Sequence, residues 1–300
     1  MSSMRLLAIG EVMAEIRTQG DGFAVGFAGD TYNTAVYAAR QLGAPGQVGY
    51  VTRVGDEPLS RALLADATAE GLDVSHIAVD AARNIGIYAV ATDAHGERSF
   101  SYWRADSAAR GLFADDETTR PLPPAGLVYL SGITLAILTP AARTRLFESL
   151  AEVRAASGTK VAFDSNFRPA LWEDHTTACE TMERMWQLTD IALPSLDDEM
   201  ALLDLDSEAA VIDRFAAHEW DGIAIKRGVR GPVSPRLAPG DLLDFPPAVN
   251  VVDTTAAGDS FNGGYLAAYL NGASEAERMM AGHRLATDVV AAPGAIIPRR

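Results

Sequence analysis

Asp253-Thr254-Thr255-Ala256-Ala257-Gly258-Asp259-Ser260-Phe261 is the stretch on which the reading of this chain turns. The apolar run 249–252 precedes it and reads as a strand. A helical pattern over residues 261–270 follows. A turn of small residues feeding a helix gathers backbone N–H groups that lack intrahelical acceptors, and the helix dipole adds partial positive charge. Together they make a site for an anion. Ala256, Ala257 and Gly258 carry too little side chain to obstruct a phosphate. Asp259 stands at the mouth of that site. It is either the helix N-cap or a base that takes a proton from a hydroxyl attacking a phosphoryl group. Spacing alone leaves both open.

Working outward, strand-like runs alternate with helical patterns. Residues 6–10, 48–54, 127–131, 161–164, 191–194 and 223–226 read as short buried strands. Residues 31–42, 58–70, 140–156, 176–188 and 207–218 read as helices between them. This βαβ alternation predicts an open, mostly parallel sheet with helices on both faces. Two β-rich pieces break the rhythm. One is residues 23–27, after Gly20-Asp21-Gly22. The other is a hairpin of residues 85–92 and 99–104 about the polar turn 93–98. They are expected to form a small separate sheet covering the carboxyl ends of the main strands, where α/β folds bind ligands. The proline-bearing segment 229–247 reads as an irregular connection.

Composition narrows the classes. With 300 residues, 48% of them hydrophobic, the chain can bury a sizeable core without disulfides or structural metal. Cys179 is the only cysteine, which removes an intramolecular disulfide and any cysteine cluster for zinc. The net charge of −15 repels phosphate backbones and argues against nucleic-acid binding. No apolar run reaches a membrane span, and Met1-Ser2-Ser3-Met4-Arg5 leads into a strand rather than a signal peptide. A cytoplasmic protein is the expectation. The histidines at 76, 95, 175, 218 and 283 lack metal-ligand spacing. No Gly-x-x-x-x-Gly-Lys-Ser/Thr loop is present, so a P-loop is excluded.

Other segments carry candidate chemistry. Phe27-Ala28-Gly29-Asp30-Thr31-Tyr32-Asn33 is a turn running into a helix, with Asp30 or Thr31 as possible cap. Tyr102 and Arg104 share one strand face by period-two geometry, and an arginine can grip a carboxylate with two hydrogen bonds. Trp103 points the other way, toward packing or a partner. Asp164-Ser165-Asn166-Phe167-Arg168 ends a buried strand, where Arg168 could equally form a surface ion pair. Pro194-Ser195-Leu196-Asp197-Asp198-Glu199 ends another and reads alternatively as a capped helix start with acids in its first turn.

The Asp-Thr-Thr-Ala-Ala-Gly-Asp-Ser-Phe segment resembles the C-terminal signature of the ribokinase-like (PfkB) carbohydrate kinases, which usually has Gly where Ala256 stands. The likeness runs from Ile9-Gly10-Glu11 to Gly294-Ala295-Ile296-Ile297-Pro298-Arg299. With Tyr102-Trp103-Arg104 and Leu130-Ser131-Gly132-Ile133, it looks nearest to bacterial 2-keto-3-deoxygluconate kinases. The resemblance implies a three-layer α/β sandwich with a mostly parallel sheet, one kinase domain over residues 1–300, and a β lid from about 10–27 and 84–104. It implies ATP-dependent phosphorylation of 2-keto-3-deoxygluconate with Mg²⁺. By the same resemblance Asp259 is the base, and Ala256, Ala257 and Gly258 hold the transferring phosphoryl group. Gly29, Asp30, Asn33, Tyr88, Tyr102, Arg104 and Arg168 bind the sugar acid, with Ala28 standing where a first glycine is usual. Arg168 also offsets charge on the phosphoryl group. Asn166, Ser195, Lys226 and Gly228 face ATP. Asp198 and Glu199 organise the metal where many members have Asn-x-x-Glu. A homo-oligomer, as a lid-to-lid dimer, is also implied. A kinase for another sugar such as fructose, or a non-catalytic sugar- or nucleotide-binding protein, stays open.

Overall fold

The computed structural model describes residues 4–19, 22–92, 98–114, 121–238 and 243–299. Of the expected turns at 20–22 and 93–98, residues 20–21 and 93–97 lie outside them, as do the first three residues and part of the 229–247 connection, while Gly22 and Arg98 open strands. In chain order the first elements are β1 (Leu6–Ile9), β2 (Met13–Gln19), β3 (Gly22–Ala28), α1 (Asp30–Leu42), β4 (Val48–Gly55), α2 (Pro58–Ala69), β5 (Leu72–Asp73), β6 (Ile77–Asp80), β7 (Gly86–Thr92) and β8 (Arg98–Trp103). Then come β9 (Leu127–Ser131), α3 (Gly132–Ile137), α4 (Pro140–Ser157), β10 (Lys160–Asp164), α5 (His175–Leu188), β11 (Ile191–Ala192), α6 (Leu196–Leu203), α7 (Glu208–Ala216), β12 (Gly222–Ile223), α8 (Ala257–Leu270) and α9 (Glu275–Val290).

The main sheet has eight strands in the order β12-β11-β10-β9-β1-β4-β5, with β6 also on β4. All its pairings are parallel. Alternate side chains serve opposite faces. Leu7, Ile9, Val128, Leu130 and Phe163 pack against Leu146, Met182 and Trp186 of α4 and α5. Leu6, Ala8, Tyr50 and Tyr129 pack against Val36, Phe261 and Tyr265 of α1 and α8. Helices therefore cover both faces, as the alternation predicted.

Helix ends follow their local sequence. Thr139 accepts from Ala142 N at 3.3 Å ahead of Pro140, and Ser274 forms a capping box with Glu277. Gly43 closes α1 with φ 79°. Asp174 caps α5 through Thr177 N at 2.8 Å, which starts that helix one residue before expectation.

The second sheet has four strands in the order β3-β2-β7-β8. Its β2–β3 and β7–β8 pairings are antiparallel, and β2–β7 is parallel. It matches the expected separate sheet and adds β2, a strand not singled out in the sequence. The expectation for residues 249–252 is overturned, because they form no strand. Val249, Val251 and Val252 are exposed, so β-branched character there meets no sheet to join. The strands read at 191–194 and 223–226 shrink to two residues each. Among the described residues no helix is long and apolar enough to cross a membrane.

Candidate active site

The signature segment forms a tight turn at the start of α8. Asp253 is buried, and its Oδ1 accepts from Thr255 N at 2.8 Å while Oδ2 accepts from Gly294 N at 2.5 Å. The C-terminal turn thus braces the loop. Ala256 is the N-cap, in the left-handed region at φ 60°, with no side chain to cap the helix. That conformation costs an alanine about 1 kcal/mol that a glycine would avoid. Asp259 is therefore not the N-cap. It sits in the first helical turn, beside N–H groups that α-helical geometry leaves without intrahelical acceptors.

Asp259 Oδ2 accepts from Asn33 Nδ2 at 2.8 Å, and its carbonyl accepts from Thr34 Oγ1 at 3.1 Å. Both partners lie on α1, whose N-cap is Gly29. A Cβ on Gly29 would stand 2.2 Å from the Glu11 carbonyl, so this turn needs a glycine. Neither Asp30 nor Thr31 caps α1. Asp30 Oδ1 instead accepts from Thr31 N at 2.8 Å, and its Oδ2 accepts from the Ser131 hydroxyl and, at 2.7 Å, from Asn166 Nδ2. Asn166, at φ 28°, thereby reaches the Asp30 side of the site.

Withdrawal from water is the largest influence on Asp259, and the Asp30 charge adds to it; the carboxyl is raised to about 7. Asp30 is also raised, chiefly by burial. Beneath them Lys226 Nζ donates to Asp164 Oδ2 at 2.5 Å, and Asn262 Nδ2 donates to the same oxygen at 2.6 Å. Asn262 also donates to the Tyr129 hydroxyl at 3.0 Å. Asp164 and Asn262 were not singled out from sequence. Asn262 lies three residues after Asp259 on one helix face, a spacing that could have flagged it.

The small sheet brings the aromatic and guanidinium candidates over this floor. Tyr88 faces Tyr102 across the β7–β8 pairing, with ring centroids 5.9 Å apart. Arg104 pairs with buried Glu11, which also accepts from the Ser107 hydroxyl. Burial raises Glu11 and the Arg104 charge opposes the rise. Tyr88 donates to Glu15 Oε1 at 2.6 Å. Neither glutamate was read from sequence, because strand register rather than spacing brings it to its partner.

At the other end Arg168 pairs with Asp198 at 3.3 Å and is half-exposed. Asp198 Oδ2 also accepts from Phe167 N at 3.2 Å. The Ser195 side chain does not cap α6, and its backbone N–H donates to Ser165 Oγ at 3.0 Å. Glu199 is fully buried, and neither carboxylate oxygen has a hydrogen-bond partner of good geometry. Burial pushes it up to about 8. Such an orphaned carboxylate suits a hydrated cation nearby. Among the described residues no group of three His, Cys, Asp or Glu could hold a metal. A magnesium ion carried on phosphates needs only one or two carboxylates, so Asp198 and Glu199 fit that manner of binding. An apolar cavity of about 300 Å³ is bounded by Lys226, Gly228, Val251, Phe261, His283 and Val290. Its largely apolar lining suits a heteroaromatic base.

Residues 5–300 match the pfkB family carbohydrate kinases. The 2-dehydro-3-deoxygluconokinase of Escherichia coli (strain K12) is 39% identical over 99% of this chain and 98% of its own. That of Dickeya dadantii (strain 3937) is 39% identical over the same shares. Among solved structures, the aminoimidazole riboside kinase of Salmonella enterica, complexed with aminoimidazole riboside and an ATP analog, superposes with a TM-score of 0.80. It is 23% identical, with coverage of 97% of this chain and 95% of that one. A putative ribokinase II from E. coli in complex with ATP and Mg²⁺ gives 0.79 at 21% identity, with coverage of 97% and 94%. Both share the fold.

Proposed function

The chain belongs to the pfkB family of carbohydrate kinases, and from that premise we propose that it phosphorylates 2-keto-3-deoxygluconate (2-dehydro-3-deoxygluconate) at its primary hydroxyl, using Mg-ATP. The observation that carries the reading is the placement of Asp259. Its carboxylate stands in the first turn of α8, tied to Asn33, where a hydroxyl and a phosphoryl group can meet. A carboxyl near 7 is matched to taking up a proton at neutral pH. The full-length likeness to 2-dehydro-3-deoxygluconokinases favours this acceptor. Arg104, Tyr102 and Tyr88 supply the charge and ring surface that a sugar acid calls for.

In this reading Asp259 accepts the proton of the attacking hydroxyl, while Gly29, Asp30 and Asn33 orient the sugar. The backbone N–H groups of Ala256 and Gly258 and the Arg168 guanidinium receive charge on the moving phosphoryl group, whereas the Ala257 N–H is already given to the Thr254 carbonyl at 3.2 Å. Lys226 and Gly228 border the nucleotide cavity, while Asn166, bound to Asp30, and Ser195, bound to Ser165, would meet the phosphate end of ATP rather than its base. When bound, Mg²⁺ neutralises phosphate charge, held through Asp198 and Glu199. The lid excludes water from the reacting groups. The outer face of the lid is covered by a second copy of the chain.

One observation favours a second reading. Arg104 already neutralises Glu11, which leaves less charge for a substrate carboxylate and admits a neutral acceptor such as fructose. ADP release with Mg-ATP is measured against 2-keto-3-deoxygluconate, gluconate, fructose and ribose. Turnover confined to the first supports the proposal. Turnover confined to fructose or ribose overturns the acid-sugar pocket.

A further inference from the structure

We propose that Glu15 is a specificity-determining residue that fixes the hydrogen-bond polarity of Tyr88, so that the acceptor must present a hydroxyl, and not a carbonyl or carboxylate oxygen, to that ring. The inference rests on the reading above that Tyr88 faces the acceptor.

A tyrosine hydroxyl has one proton to give and lone pairs to receive. Tyr88 gives its proton to Glu15 Oε1 at 2.6 Å. Glu15 is 4% exposed and is held by Arg17, whose Nε lies 3.0 Å from Oε2. Paired with the Arg17 guanidinium, the Glu15 carboxylate offers acceptors only, so the direction of the Tyr88 bond is set. What remains on the Tyr88 oxygen is acceptor capacity. Only a donor can use it.

The ring cannot turn away to change partners. It is buried among Met13, Ala28 and Ala295, and Tyr102 stacks on it. Glu15 and Tyr88 also sit opposite each other in the parallel β2–β7 register, which fixes their separation. Arg17 is wedged in turn against the C-terminal turn, since a Cβ on Gly294 would lie 2.4 Å from its Nη1. Burial chiefly disfavours ionisation of Tyr88, the Glu15 carboxylate adds to it, and the Asp259 charge adds a smaller part, which places the phenol in the field of the reacting centre. The carboxylate of a sugar acid is then left to Arg104, and a hydroxyl along the carbon chain to Tyr88.

The test compares kcat/KM for the wild type, Tyr88→Phe and Glu15→Gln. The acceptors are 2-keto-3-deoxygluconate, its 4-deoxy and 5-deoxy analogues, and the analogues with a keto group at those carbons. If the wild type does not turn over this acid, the substrate reading has failed, and the same series is built on whichever sugar releases ADP. Tyr88→Phe is expected to lose about tenfold on the parent sugar and nothing on one deoxy analogue, the size of one neutral hydrogen bond. The wild type should reject the keto analogue at that same carbon. Glu15→Gln lets the phenol donate, so it should lose about tenfold on the parent and gain at least tenfold on the keto analogue. KM for ATP should stay within twofold in both variants. Equal losses across every acceptor, or an unchanged acceptor ranking in Glu15→Gln, would overturn the proposal. Each of those results marks the pair as structural only, and melting temperatures of both variants separate that case.

Discussion

In the proposed reaction Asp259 concentrates the chemistry into one carboxylate whose surroundings are legible atom by atom. Its proton affinity is raised to about 7 by removal from water and by Asp30. The base must be ionised to act, so kcat/KM for the acceptor should rise with pH through an inflection near 7 and level above it. A profile flat from pH 5.5 to 8.5 would contradict that role. Asp259→Asn should lower kcat by about 10³-fold, within the range that general bases contribute, while ATP affinity measured by calorimetry changes little. The same residue sets a stability prediction. Between the unfolded value near 4 and the folded value near 7, the folded chain holds the proton and the unfolded chain does not. Stability is then lost as pH rises through that window, and the full penalty remains above it. Asp259→Asn removes the penalty, so it should raise the melting temperature at pH 8 and not at pH 4. At this scale the sequence pointed to Asp259, Asn33 and Lys226, because each belongs to a short motif at a strand end or helix start. It did not point to Glu11 or Glu15. Their significance comes from Arg104 and Tyr88, which lie some 73 to 93 residues away and meet them only after strands pair.

The hydrogen bond from Asn33 to Asp259 is held by helix packing, and α8 is the element that holds it. Gly263 of α8 faces α1, where an added Cβ would lie 2.7 Å from Tyr37 Cβ and 3.0 Å from the Thr34 carbonyl. Gly264 faces α9, with the Ala281 carbonyl at 2.9 Å. Either Gly→Ala change overpacks its contact, at a cost of about 1–3 kcal/mol. Both should lower the melting temperature by a similar amount. Only Gly263→Ala pushes α1 and Asn33 away from Asp259, so it should cut kcat by about tenfold more than Gly264→Ala. Matched kcat values in the two variants would mean that α8 tolerates the shift. Helix periods and caps made such elements readable in the sequence, as with Pro140 after Thr139 or Gly43 after Leu42. Residues 249–252 were misread because Val249, Val251 and Val252 satisfy strand propensity, while the main sheet already ends at β12 and offers them no neighbour. Propensity records which residues suit a pleated surface, and only tertiary context supplies the surface.

At the scale of the whole molecule, the lid sheet has two faces with different fates. Glu15, Tyr88 and Tyr102 lie on the face over the site. Pairing register places Val25, Ile16, Ile87 and Trp103 together on the other. On that outer face Phe23 is 78% exposed, Val25 54% and Trp103 61%. A chain with net charge −15 otherwise presents a polar, self-repelling surface, so an apolar sheet face on it is where a covering partner is expected. A second lid is a fitting cover, because a two-fold axis sets the same apolar face against itself. A stable pair would need roughly 800 Å² buried on each copy, which a four-stranded sheet face can approach. Sedimentation velocity should therefore give a dimer at micromolar concentration. Phe23→Glu with Trp103→Glu should give a monomer whose melting transition of the main domain is little changed, since neither side chain belongs to a core. The monomer should also bind the sugar more weakly, because a lid with one wet apolar face is held less firmly over Asp259. A wild type that sediments as a monomer at every concentration would remove the second copy and leave that face to another partner. A dimer that survives both glutamates would move the interface away from the lid.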